Sequence, residues 1–286
     1  MSLRINTNID ALTAYRNLTS TQSSMSTSVE RLSSGLRINK AADDAAGLAI
    51  SQGLTAQVNG IGQAIRNAQD GINVVQTADG ALTEVQSILQ RVRTLTVQGA
   101  NDSNDSAAKG NIVTEISQLS SELDRISNTT EFNGTKLLNG SANLNFQIGA
   151  RSATNNGGNQ LNIDLTTGGA NKVDLSGSTL LGAAGSLAGS ASATDWSNAL
   201  DDIDAQLANV STLRANLGAF QNRLQHTINN LSVTQTNLQA SNSSIVDTDM
   251  AAEMSNYTRT QILSQAGTSM LKQANSNAQS VLSLLQ

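Results

Sequence analysis

The sequence predicts a mainly α-helical protein. It is a long helical hairpin of coiled-coil character, with a small antiparallel β region at its tip and the two termini paired in a helical coiled coil. Three observations carry this. Apolar residues recur in alternating steps of three and four over most of the chain, the spacing of one helix face. There is no proline among the 286 residues, and a proline inside a helix costs about 3 kcal/mol. Aromatic content is 2%, with three Phe, two Tyr and one Trp, and hydrophobic content 38%. A core so poor in aromatics suits slender helices joined by Leu, Ile, Val and Ala.

The first periodic segment runs from residue 5 to 36. Ile5, Ile9 and Leu12 form one run and Met25, Val29, Leu32 and Leu36 another, with Leu18 slightly out of phase between them. Between Ala11 and Val29 the only charge is Arg16. Arg37 to Ser51 interrupts the period with charged and small residues and reads as a joint. Asp43 and Asp44 there are placed to cap the helix that follows. From Leu54 to Leu82 the seam is regular except at Asp79, and it changes phase to Val85, Leu89 and Val92. The helix is expected to reach about Gln98, giving roughly 50 residues and about 75 Å. Gly99 to Ser106 is a turn by composition, and Ile112, Ile116, Leu119, Leu123 and Ile126 mark the next helix.

From Glu131 the period changes. The stretch from Glu131 to Gly140 holds two Asn-Gly pairs, the strongest short hairpin signal. Leu144, Phe146 and Ile148 alternate, as do Leu161, Ile163 and Leu165, predicting an antiparallel β region at about 135–175. Ser176 to Ala193 is expected to be an irregular cap. Then Ile203, Val210, Leu217, Leu224, Leu231, Leu238 and Ile245 recur every seven residues, a long heptad helix. A second joint carries Asp247, Thr248 and Asp249 as N-cap candidates.

The last segment, Met250 to Gln286, has Lys272 as its only charge after Thr260. Its main apolar face is Leu263, Ala266, Met270, Ala274, Ala278, Val281 and Leu285. Ile262, Leu271, Leu282 and Leu284 lie off that face. A helix apolar on more than one side must be buried on more than one side. The amino-terminal segment is expected to cover one side. Ile262, Leu271, Val281, Leu282, Leu284 and Leu285 are therefore assembly candidates, to be met by other copies of the chain.

Composition narrows the function. A net charge of −5 with no basic stripe argues against nucleic acid. No apolar run approaches the about 20 residues of a membrane span, and the first ten residues do not resemble an ordinary secretory signal. Without cysteine there is no disulfide and no thiolate metal site. The single histidine, His226, has Asn222 and Asn230 as its helical neighbours, not a metal-site set. The paired carboxylates Asp43 with Asp44 and Asp247 with Asp249 sit at helix starts, where capping accounts for them. No phosphate loop, zinc-protease or hydrolase motif is present. No enzyme, cofactor or metal is expected. Arg91, Val92, Arg93, Leu95 and Gln98 cluster near a helix end, either a solvated basic turn or an intermolecular contact.

Several stretches resemble bacterial flagellin: Ile5 to Leu12, Arg31 to Ser51, Leu89 to Asp102, Glu131 to Gly140, Leu213 to Leu224, and the run from Ile245 to Asn275. The resemblance covers roughly 1–145 and 195–286, with a middle much shorter than in flagellins that carry large outer domains. It implies a structural subunit that polymerises into the flagellar filament for motility, exported through the flagellar type III apparatus and lying outside the cell. It implies an inner-tube coiled coil from residues 1–45 and 246–286, and an outer-tube domain from 46–245 with the β region at about 131–195. The implied partners are other copies of the chain, an export chaperone, the filament cap protein and hook-associated junction proteins. A vertebrate Toll-like receptor is a further one. Arg91, Leu95 and Glu115 match family positions touched by that receptor, with Gln98 beside them; where the family has glutamate after the arginine pair, this chain has Thr94. Two other readings are a hook–filament junction protein, whose termini are similar, and a helical adhesin or scaffold that does not polymerise.

Overall fold

The computed structural model describes residues 8–140, 142–151, 158–165, 187 and 192–284, with side chains described as far as 277. Its elements are α1 (Ile9–Ser34), α2 (Ala45–Gly99), α3 (Ser106–Thr129), β1 (Glu131–Phe132), β2 (Thr135–Lys136), β3 (Asn143–Gln147), β4 (Gln160–Asp164), α4 (Ala193–Val246) and α5 (Met250–Leu284). The fold is mainly α with small antiparallel sheets. The chain divides into two compact units. A terminal unit takes residues up to Ala56 and from Asn237, and a middle unit takes Gln57–Thr236.

In the terminal unit α1 packs antiparallel on α5. Asn8 marks one end of the pair, its Nδ2 donating to the Ala274 carbonyl at 2.9 Å. Arg31 marks the other, 3.8 Å from Glu253. The covered stripe of α1 is Ala11, Ala14, Leu18, Thr21, Met25, Ser28 and Leu32, and that of α5 is Glu253, Tyr257, Thr260, Ser264, Gly267, Leu271 and Ala274. Both alternate steps of three and four, the coiled-coil period.

These stripes correct the faces expected from the apolar pattern. Leu18 is in phase, whereas Ile9, Leu12 and Val29 are exposed. On α5, Leu271 is turned toward α1, while Leu263 and Met270 point outward. The reason is steric. The two helices approach closely at Gly267, where an added Cβ would lie 3.2 Å from Leu18 Cδ1. Small residues interleaved with Leu18, Met25, Leu32, Tyr257 and Leu271 permit that approach, and Ile9, Leu12, Val29, Ile262, Leu263 and Met270 are left outside.

The joint is built by backbone pairing. Leu36 bridges antiparallel to Asp247, with Arg37 N donating to the Val246 carbonyl at 2.6 Å and Thr248 N to that of Gly35 at 2.9 Å. Gly35 ends α1 at φ 73°, a left-handed conformation that glycine adopts without a Cβ penalty. The two aspartates expected to cap α2 divide the work. Asp44 accepts from Gly47 N at 2.8 Å at the helix start. Asp43 instead ties the loop, accepting from the backbone of Asn39 and Lys40. Its carboxyl is held below its ordinary range by those N–H groups. Asp249 caps α5 through Ala251 N and Ala252 N.

The middle unit has one principal core. Leu82, Val85, Leu89 and Val92 of α2, Ile116 and Leu123 of α3, and Ile203, Val210 and Leu217 of α4 are buried in it. Trp196 and Ile163 close it from α4 and β4. The phase change at Val85 and the heptad of α4 thus coincide with burial. Beyond Leu224 that heptad is only half covered, at Leu231, Leu238 and Ile245.

β1 and β2 form a tight hairpin through Asn133 (φ 49°) and Gly134 (φ 78°), the two positive φ values that a two-residue hairpin turn of this hand requires. The second Asn-Gly pair, Asn139–Gly140, makes no such hairpin. It leads to β3, which pairs with β4 from Asn143↔Asp164 to Gln147↔Gln160. Leu161 and Ile163 face the core, and Asn143, Asn145 and Asn162 face out. The cap expected at 176–193 lies outside the described residues except for Leu187, Ser192 and Ala193.

Candidate assembly surfaces

Two surfaces gather the residues singled out by the sequence. The first is the outer face of the terminal helix pair. On α5, Ile262 is 61% exposed and Met270 64%. Leu263, Met250 and Met254 are also exposed, and α1 adds Ile9, Leu12, Tyr15 and Val29. At 100° per residue, Ile262 lies opposite the covered stripe of α5 and Leu263 shares one flank with Met270. Leu271 is half-buried against α1. The side chains of Val281, Leu282 and Leu284, and all of Leu285, lie outside the described residues.

The polar part of this surface is largely closed on itself. Thr13, Thr19 and Thr27 of α1 donate to the carbonyls four residues back, and Thr258 and Ser269 do the same on α5. A hydroxyl already bonded to its own helix loses less when water is removed from it. A surface with few charges and pre-satisfied hydroxyls is therefore cheaper to bury than its Ser and Thr content suggests.

The second surface lies on the middle unit around Arg91. Arg91 Nε and Nη2 reach Glu115 Oε1 at 2.8 and 2.6 Å, joining α2 to α3. Two residues on, Arg93 forks onto Asp204 of α4 at 2.6 and 3.1 Å. This pairing holds the Asp204 carboxyl below its ordinary range and raises the Arg93 guanidinium. Gln98 and Val97 are exposed nearby. The structure thus brings Arg91, Glu115 and Gln98 to one region. Leu95 does not join them at the surface: at 2% exposure it belongs to the core beneath. Asp204 escaped the sequence reading because its partner is 111 positions away and its own helix shows only a heptad there.

Among the described residues, no group of three or more His, Cys, Asp and Glu could hold a metal ion, and no helix is long and apolar enough to cross a membrane. His226 is exposed on α4.

The chain matches the model of the bacterial flagellin N-terminal helical region over residues 5–143 and that of the C-terminal helical region over 200–285. The chain belongs to the bacterial flagellin family. Flagellin from Halalkalibacterium halodurans is 48% identical over 286 residues, covering 99% of both chains. Flagellin from Bacillus subtilis is 47% identical over 314 residues, covering 99% of this chain and 100% of that one. The flagellar filament 33 kDa core protein of Treponema phagedenis is 40% identical over 294 residues, covering 99% of each. Among solved structures, one assigned to the flagellar hook-associated proteins, from Vibrio parahaemolyticus, has a TM-score of 0.55 at 16% identity. It covers 72% of this chain and all of that one, and at that identity speaks for the fold alone. As a flagellin, the chain is a structural subunit of the filament of the bacterial flagellum, outside the cell, in a family of structural proteins rather than enzymes. It is a short form without a large outer domain.

Proposed function

We propose that this flagellin drives filament assembly with the outer face of its terminal helix pair. On this reading residues 1–45 and 246–286 form the inner tube and 46–245 the outer tube. The observation that carries it is that the covered stripe between α1 and α5 takes in only Leu18, Met25, Leu32, Tyr257 and Leu271 among the large apolar residues, while Ile9, Leu12, Ile262, Leu263 and Met270 stay outside. Burying one such large side chain fully is worth about 1.5–3 kcal/mol. The pair therefore has substantial apolar surface left to bury against neighbours, and an interface that does not close on itself yields an open helical polymer. The assembly role extends to Ile262, Leu271, Val281, Leu282, Leu284 and Leu285, with Leu271 acting within the pair.

The Arg91, Gln98 and Glu115 region, with Leu95 beneath it, is proposed as the lateral contact between subunits and as the surface open to a vertebrate Toll-like receptor. Export by the flagellar type III route with a chaperone, and capture by the cap and junction proteins, complete the reading; the family supports them. Deleting Met250–Gln286 tests it. The truncated protein is expected to keep a folded middle unit and to stay in the supernatant on sedimentation, and normal filaments would overturn the assembly role. Electron microscopy of the concentrated intact protein separates filament subunit from junction protein or adhesin, since only the first forms long filaments alone.

A further inference from the structure

The two longest helices pose a problem of register. In α2, residues Ile61, Ala68, Val75, Leu82 and Leu89 recur every seven positions, as do Ile203, Val210, Leu217 and Leu224 in α4. Sliding one helix past the other by seven residues, about 10 Å, would put apolar against apolar again. A heptad seam holds two helices together without choosing among such positions. Yet one antiparallel register runs through the unit. A Cβ at Gly62 would meet Gln235 at 3.4 Å and one at Gly71 would meet Leu224 at 3.2 Å.

We propose that two oppositely oriented ion pairs, Asp79–Arg214 and Arg93–Asp204, select that register. Arg214 Nε donates to Asp79 Oδ1 at 2.7 Å and its Nη1 to Gln86 Oε1 at 2.7 Å. Asp79 is the residue that breaks the apolar seam of α2. Because α2 carries acid then base and α4 also carries acid then base, the two antiparallel helices match at both positions together. A slip of seven in either direction sets Asp79 against Leu207 or Gln221, and Arg93 against Ser197 or Ser211, so both pairs are lost at once. All four side chains are partly exposed. Such pairs add little stability, which leaves register as their principal effect; charges that flank an apolar seam set how two helices align.

The absence of cysteine makes the test clean. Gly62→Cys with Gln235→Cys reports the native register by cross-linking with a short bis-maleimide, and Gly62→Cys with Ile228→Cys reports a slipped one. In each background the ion pairs are neutralised together, by Asp79→Leu, Arg214→Leu, Arg93→Gln and Asp204→Asn. The expected result is a melting temperature close to the parent's, with the ratio of slipped to native cross-link up about tenfold, the scale set by two exposed pairs. Exchanging the charges, Asp79→Arg with Arg214→Asp, is expected to keep the native cross-link. Neutralised variants that form only the native cross-link would overturn the proposal. So would a charge-exchanged protein that slips although its pair is restored.

Discussion

Ile262→Asp separates folding from assembly most sharply. Ile262 lies opposite the stripe that α5 presents to α1 and is 61% exposed in the single chain. A substitution there removes little that one chain provides, and surface changes of this kind stay within about 0.5 kcal/mol. If a neighbouring subunit covers the site, the lost burial is some three-fifths of the about 1.5–3 kcal/mol of a fully buried isoleucine, or about 1–2 kcal/mol. The aspartate adds the cost of burying an unpaired charge, at least about 1–3 kcal/mol more. At about 1.4 kcal/mol per tenfold, the sum raises the critical concentration for polymerisation by roughly thirtyfold or more. Sedimentation across a concentration series measures this, and a thermal melt by circular dichroism checks that the middle unit is unchanged. An unaltered critical concentration would refute the reasoning, because Ile262 would then face solvent in the filament.

Three further outcomes follow from named contacts. Arg91→Ala leaves Glu115 without its ion-pair partner and should raise the critical concentration and weaken receptor signalling; loss of neither, in sedimentation and a reporter-cell assay, would leave a solvated basic turn. Gly99→Ala should destabilise the middle unit by about 1–3 kcal/mol, although alanine favours helix by up to about 1 kcal/mol, since the new Cβ would fall 2.4 Å from the Trp196 ring. The fluorescence of that single tryptophan follows the unfolding. Acid should loosen the loop after α1. Lys40 and Asn39 side chains hold the Glu30 carboxyl below its ordinary range, as the Lys40 and Asn39 backbone holds Asp43; Arg31 and Lys40 add to the latter. A lowered folded pKa gives stability that is present above the ordinary carboxylate value and lost as pH falls through the lowered one. Hydrogen-exchange protection of the Asn39 and Lys40 amides should therefore fall below about pH 4, while the Thr248 amide, bonded to a carbonyl, keeps its protection. Equal loss at all three would count against the carboxylates.

Much of the fold was legible because helical periodicity is local. The α4 heptad from Ile203, the phase change at Val85 and the Asn133–Gly134 turn each rest on residues within a few positions of one another, so they could be read without knowing what they touch. The faces of the terminal helices were not legible in the same way. The apolar pattern of α5 pointed to Leu263 and Met270 as the covered side, and the structure covers Ser264, Gly267 and Leu271 instead.

What the sequence determined alone was the type and order of elements, the presence of capping residues at both joints, and the presence of more apolar surface on the terminal helices than one chain covers. Tertiary structure decided which of that surface is covered. Close approach at Gly267 rewards small side chains, and no periodicity distinguishes an apolar face awaiting its own chain from one awaiting another copy. It also decided that Leu95 lies under the Arg91 surface and that Asp79, an interruption in one helix, is answered by Arg214 in another. Partners 135 residues apart are joined by the path of the chain in space, and the spacing of charges along either helix by itself does not contain that path.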